Sequence, residues 1–200
     1  MISRKAIKEN AKFQLGGNIF SNNWLMGVVV MLIVGAIMSF LAPSGVGTII
    51  VTGPLVVGSA FVFMNLLRTG NSIKIEDVFK KGFTECFGRN VILYLLIGIF
   101  TFLWSMLLII PGIVAAYSYS MAPYIANDHP EYDWRQCIEA SKKLTYGHKA
   151  ELFMLDLSFI GWFFVGALCF GIGTIWVSVY QEAARANYYE ALLGLPRANG

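Results

Sequence analysis

Apolar residues in this chain run in stretches longer than the core of a soluble domain needs, and short polar blocks separate them. A spanning helix requires about 20 mostly apolar residues, and residues 24–42 and 46–67 each supply one. The run 91–126 is too long for a single span, and Pro111-Gly112 interrupts it where a tight turn divides an outgoing helix from a returning one. The run 152–180 is similarly long; Gly171-Ile172-Gly173 offers its turn, and a last helix returns from Thr174 to about Tyr189. The pattern predicts an all-α fold, a polytopic membrane bundle of six transmembrane helices in three hairpins at about 24–67, 91–126 and 152–190, within a single integral membrane domain over 1–200.

The positive charges agree with that folding. Cytoplasmic loops are enriched in Lys and Arg close to the membrane, and with six helices all fifteen basic residues fall on one side. Arg4, Lys5, Lys8 and Lys12 precede the first hairpin; Arg68, Lys74, Lys80, Lys81 and Arg89 precede the second. Arg135, Lys142, Lys143 and Lys149 precede the third, and Arg185 and Arg197 follow. The opposite turns, near Pro43 to Gly45, Pro111-Gly112 and Gly171 to Gly173, carry none. Both termini are therefore expected in the cytoplasm. A four-helix reading sets the block around Lys142 opposite the block around Lys80 and ranks below six. A secretory signal is the rival reading of the first run, because Ala42-Pro43-Ser44 faintly resembles a small-x-small cleavage site. The long leading region and the immediate second span favour a retained helix.

Each hairpin follows a charged stretch with helical apolar spacing, at about 3–15, 73–87 and 134–146, which reads as one unit used three times. In the third copy Asp133 can cap a helix with Gln136 three positions on, and Gly147 can end it. Trp134, Cys137, Ile138, Ser141 and Leu144 line one face, expected on the membrane surface. Ile75, Val78, Phe79 and Phe83 form a similar stripe, with Lys74, Lys80 and Lys81 placed to meet anionic headgroups. An interfacial helix packed on the bundle and a docking surface for a partner protein both fit these stripes.

Composition narrows the function classes. Hydrophobic types make up 56% and charged types 14%, and the mean hydropathy is +0.62, against about a quarter charged residues in soluble domains. Disorder, a secreted disulfide scaffold and a nucleic-acid-binding domain are poor fits. Cys86, Cys137 and Cys169 include no CxxC pair, and the chain has no P-loop, no G-x-S-x-G and no H-E-x-x-H. Asp128, His129, Glu131 and Asp133 are hard-ligand types, but their spacing matches no metal pattern and Pro130 makes the stretch a turn before a cap.

Asp156 is the most informative single residue, since an ionisable group at the centre of an apolar span costs about 2.5–3.5 kcal/mol on insertion scales. A turn near Gly171-Ile172 sets Asp156 level with Asn187 and within a turn of Arg185, so a buried pair with Arg185 is expected, either as a clamp or as part of a ligand or ion site. Gln181, Arg185 and Tyr188 share a face of the last helix with Glu182 and Asn187 nearby, and a headgroup or anion site on Arg185 is the functional reading. Gly112, Ala116 and Ser120 recur at the small-residue spacing that lets membrane helices approach. Tyr117, Tyr119, Tyr124 and His148 read as interface residues.

The segments 118–125, 147–149, 156–162, 171–173 and 184–190 resemble a family of uncharacterised bacterial integral membrane proteins, known as a domain of unknown function. The resemblance covers essentially the whole chain, most specifically its second half. The chain is also distantly similar to the membrane domain fused to some bacterial glycerophosphodiester phosphodiesterases. This implies a membrane module and transfers no activity.

The expectation is a non-enzymatic, multi-pass protein of the bacterial cytoplasmic membrane, without cofactor or metal. Its partners are membrane lipids, with a membrane or cytoplasmic protein or a further copy of itself as others, and no nucleic acid. A small oligomeric transporter or channel, with Asp156 and Arg185 lining a cytoplasm-facing cavity, is the alternative; a membrane enzyme built on Asp156 or His129 is the third class.

Overall fold

Long apolar sequences in a membrane favour helices, whose backbone groups bond within the segment, and here they do so even through β-branched runs such as Val28-Val29-Val30. The structure, a computed structural model, describes residues 3–168 and 171–194, all in helices or the turns that join them, with no strand among them. Eleven α-helices follow in order: α1 (Arg4–Gln14), α2 (Asn22–Leu41), α3 (Val46–Thr69), α4 (Ile75–Phe79), α5 (Phe87–Leu107), α6 (Ile109–Tyr119), α7 (Ala122–Asp128), α8 (Trp134–Leu144), α9 (Lys149–Leu157), α10 (Ile160–Leu168) and α11 (Ile172–Leu193). A π-helical turn, Lys80–Thr84, continues α4.

Among the described residues five helical segments are long and apolar enough to cross a membrane: Asn22–Ser44, Gly47–Thr69, Phe87–Met106, Ile109–Asp128 and Lys149–Leu168. Phe40, Met106, Ile109, Ile110 and Leu168 are each at least 75% exposed, an apolar surface that suits lipid and not water. These are the features of a multi-pass membrane protein. The predicted sixth span, α11, falls short on composition because Gln181, Glu182, Arg185, Asn187 and Glu190 occupy its second half.

The helices group into two compact units. One comprises residues 3–36, 62–75, 150–168 and 171–194. Its core forms where Ile7, Ala11 and Leu15, one stripe of α1, are buried with Val179, Ala183 and Ala186 of α11. Gly166 of α10 and Gly173 of α11 meet backbone to backbone, and a Cβ at Gly166 would stand 2.7 Å from the Thr174 nitrogen. The expected single helix from Leu152 is broken at Ser158-Phe159, where the Ser158 hydroxyl bonds back to the Leu155 carbonyl and competes with the helical ladder.

The other unit comprises residues 37–61 and 76–149. Its first turn lies where the sequence placed it, with Ala42–Ser44 as a 3-10 turn and Gly45 at φ 60°. The second turn does not fall at Pro111-Gly112. Leu108 is extended and α6 has already begun at Ile109, because proline is tolerated in a first helical turn. α3 approaches residues 78–90 closely: a Cβ at Gly58 would collide with the Val78 carbonyl, and one at Gly82 with the Pro54 carbonyl. Asn90, fully buried, ties the π turn by donating to the Gly82 carbonyl at 3.1 Å and the Glu85 carbonyl at 3.3 Å. α8 carries the expected capping box of Asp133 and Gln136. Its apolar face is covered by protein, not left to the membrane surface: Cys137, Ile138 and Ser141 are buried, and Ser141 donates to the Ser118 carbonyl at 2.8 Å.

Gly58→Leu is expected to lower thermal stability in detergent by about 1–3 kcal/mol, as overpacking against fixed backbone does; an unchanged midpoint would refute the close approach. Burial pushes the Cys137 thiol up to about 11, while Cys86 is exposed. Alkylation should therefore reach Cys86 and spare Cys137 until the protein unfolds. Since the unfolded thiol ionises near its ordinary value of about 8.5, the Cys137 contribution to stability is complete below that pH and is lost as pH rises from there through about 11, a trend that Cys137→Ala should remove.

Candidate functional site

From Gln181 onward most polar side chains of α11 have partners, while the buried Asn187 Oδ1 has none among the described residues. Arg185 donates Nε to Asp156 Oδ1 at 3.1 Å and Nη2 to Oδ2 at 2.8 Å, a bidentate pair in which the carboxylate is 12% exposed and the guanidinium 34%. Gln181 donates to the same Oδ1 at 2.9 Å, and Glu182 stands 3.9 Å from Arg185. The expected Asp156–Arg185 meeting is thus present. Asn187 lies elsewhere: it is fully buried and donates to Gln14 Oε1 and to the Ala183 carbonyl, both at 2.8 Å. Tyr188 is buried and reaches Glu151 at 3.4 Å.

These contacts displace the expected register by about one turn. Asp156 meets Gln181 and Arg185 instead of Asn187, Glu151 meets Tyr188, and Gly166 meets Gly173. Residues 169 and 170, Cys169 among them, lie outside the described residues, as does Arg197.

Beside this pair is a group that sequence reasoning did not single out. Lys8 of α1 donates to Ser158 Oγ at 3.1 Å and to the Ser158 carbonyl at 3.3 Å, and its ammonium lies 4.4 Å from the Phe159 ring centroid. Burial first, and the Arg4 charge second, hold Lys8 below the usual lysine range. Tyr180 completes the arrangement: its hydroxyl donates to the Lys8 carbonyl at 3.0 Å, and its ring meets Phe159 edge-on at 5.1 Å. Ser158 in the middle of an apolar run was the available signal. Arg68 and Glu190 form a second pair at 2.6 Å, with the carboxylate 5% exposed.

Residues 105–195 match a family described as a protein of unknown function, DUF975. No curated protein and no solved structure matches the chain. The matched stretch runs from the end of α5 through α11 and contains every segment on which the resemblance rested, together with Asp156, Gln181 and Arg185. Residues 1–104, with Lys8 and Arg68, lie outside it. The description names no activity, and none passes to this chain.

The remaining candidates serve local structure. His129 Nδ1 meets Glu131 Oε1 at 2.9 Å and its ring stacks on Tyr132; the backbone and His129 hydrogen bonds hold the exposed Glu131 carboxyl below the usual range. Arg89 organises this turn, donating to the carbonyls of Ala126, His129, Pro130 and Tyr132 at 2.7–3.3 Å. Among the described residues no three His, Cys, Asp or Glu side chains group around a metal position.

Asp156→Asn leaves Arg185 with Glu182 at 3.9 Å, and Arg185→Gln takes the guanidinium from Asp156; each should cost about 1–3 kcal/mol, reduced from the fully buried case by the exposure of Arg185. The double variant should recover part of that loss. Additive losses in a thermal double-mutant cycle would refute the coupling.

Proposed function

We propose that this chain is a non-enzymatic accessory or regulatory module of a bacterial cytoplasmic membrane, holding anionic lipid headgroups at its cytoplasmic face. The supporting observation is the state of its basic residues. Arg4, Lys5 and Lys12 in one unit, and Lys80, Arg135, Lys142 and Lys143 in the other, are exposed, as is Lys74 between α3 and α4. A lysine near an anionic leaflet contributes about 1 kcal/mol. Arg185 is committed to Asp156 and Glu182, so the headgroup role expected of it passes to these exposed groups.

The proposal includes six spans with both termini in the cytoplasm. α11 has 22 residues, or about 33 Å at the helical rise, and its polar half is partnered by Asp156, Gln14 and Arg68. Such internal satisfaction makes polar residues tolerable at membrane depth. The three charged stretches then share one side with every basic residue.

One observation favours the alternative of a small oligomeric transporter or channel: the break between α9 and α10 lies directly beside the Asp156–Arg185 pair, and broken helices beside intramembrane charge recur in transporter sites. That reading requires a flux in liposomes that Asp156→Asn abolishes in a folded protein.

Native mass spectrometry of protein extracted gently from its own membrane tests the headgroup reading. Anionic phospholipid should be retained in preference to zwitterionic, and glutamine at Lys5, Lys12, Lys74, Lys80, Lys142 and Lys143 together should remove the preference. Equal retention of both lipid classes would overturn it, as would a stoichiometric protein held in their place.

A further inference from the structure

Two adjoining cavities, of about 420 and 520 Å³, lie along α5, and Tyr94, Gly98 and Phe102 line both. Together they form a groove of the size that takes a small ligand or a lipid chain. Its origin is the uneven small-residue stripe of α6. Gly112 is pressed against Ser105, so the two helices touch there, whereas Ala116 and Ser120 line the larger cavity and leave it open. Gly98 faces that space, with nothing within 4 Å of where its Cβ would stand. Phe102 is 67% exposed, so the groove opens outward through an apolar surface on a segment long and apolar enough to cross a membrane.

One charged feature at the larger cavity sets the occupant apart from a hydrocarbon. Lys142, exposed, lies 5.5 Å from the ring centroid of Tyr119, which lines the same cavity. We propose that this groove holds one acyl chain of an anionic phospholipid, with the phosphate facing Lys142 at the Tyr119 end and the chain running toward Phe102 and Ser105. The inference shares Lys142 with the headgroup reading but rests on the groove.

The test is photo-crosslinking of the full chain in phosphatidylethanolamine vesicles containing phosphatidylglycerol with a diazirine in its acyl chain, followed by peptide mapping. Adducts should concentrate in residues 94–105 and 116–120. Gly98→Leu, whose side chain enters open space and keeps the fold, should remove that concentration while the lipid preference seen by native mass spectrometry persists. Lys142→Gln should weaken labelling by the phosphatidylglycerol probe about fivefold and leave a phosphatidylcholine probe unaffected. Labelling spread evenly over exposed residues such as Ile92 and Ile113, and indifferent to Gly98→Leu, would overturn the site. A disulfide between two copies of a Gly98→Cys variant in place of lipid adducts would also overturn it, in favour of a second chain in the groove.

Discussion

An ionised carboxylate in an apolar helix has to meet its counter-charge inside the protein, because removal from water costs several kcal/mol per ion and only close, well-aligned pairing offsets it. Asp156 meets that demand with both oxygens on the Arg185 fork and a further bond from Gln181. The geometry fixes how α9 lies on α11, one turn away from the register that a turn at Gly171-Ile172 implies. The rest of that unit follows from the same place. The helix is interrupted two residues beyond Asp156, and the freed Ser158 carbonyl is taken by Lys8. Lys8 in turn holds α1 against the hairpin, with Tyr180 bonding back to the Lys8 backbone.

The other unit is held together by different means. α3 and residues 78–90 come together through glycines, so that carbonyl oxygens rest where side chains would otherwise stand. Asn90 closes the π turn that this approach imposes. Arg89, its neighbour, gathers four carbonyls from the end of α7 and the turn after it, a favourable place for a cation because the helix dipole is negative there. The acidic turn around His129 is thus ordered by an internal guanidinium.

Much of this architecture is legible in the chain. The long apolar runs, the first turn, the Asp133 cap and the charged helices between apolar runs all follow from local pattern, since each is decided within a few residues. The Asp156–Arg185 pair is legible as well, because an acid in an apolar run demands a base and only one stands at the right distance. The exact register is not, since it depends on a helix break that Ser158 permits but does not require. The turn at Leu108 is missed because proline serves a first helical turn as readily as a bend. Lys8 is hidden among the other basic residues before the first span, and only tertiary contact distinguishes it. The apolar face of α8 reads the same whether lipid or protein covers it.

Three of the arginines bond inward while most of the lysines stay exposed, and the division bears on function. Arg68, Arg89 and Arg185 bond inward, to Glu190, to four carbonyls and to Asp156. A planar guanidinium offers several donors in a fixed fork and is less strongly hydrated than an ammonium, so it satisfies interior acceptors at lower desolvation cost. Lys5, Lys12, Lys74, Lys80, Lys142 and Lys143 stay exposed, as suits compact, strongly hydrated charges on flexible stems. Lys8 and Lys81 depart from that: the Lys8 ammonium reaches Ser158 beside the Phe159 ring, and Lys81 pairs with Glu85 at 2.6 Å. These three arginines therefore belong to the fold, and a headgroup drawn to Arg185 would have to displace Asp156. The lysines stay with the surface, where an anionic lipid can exchange without disturbing a helix contact.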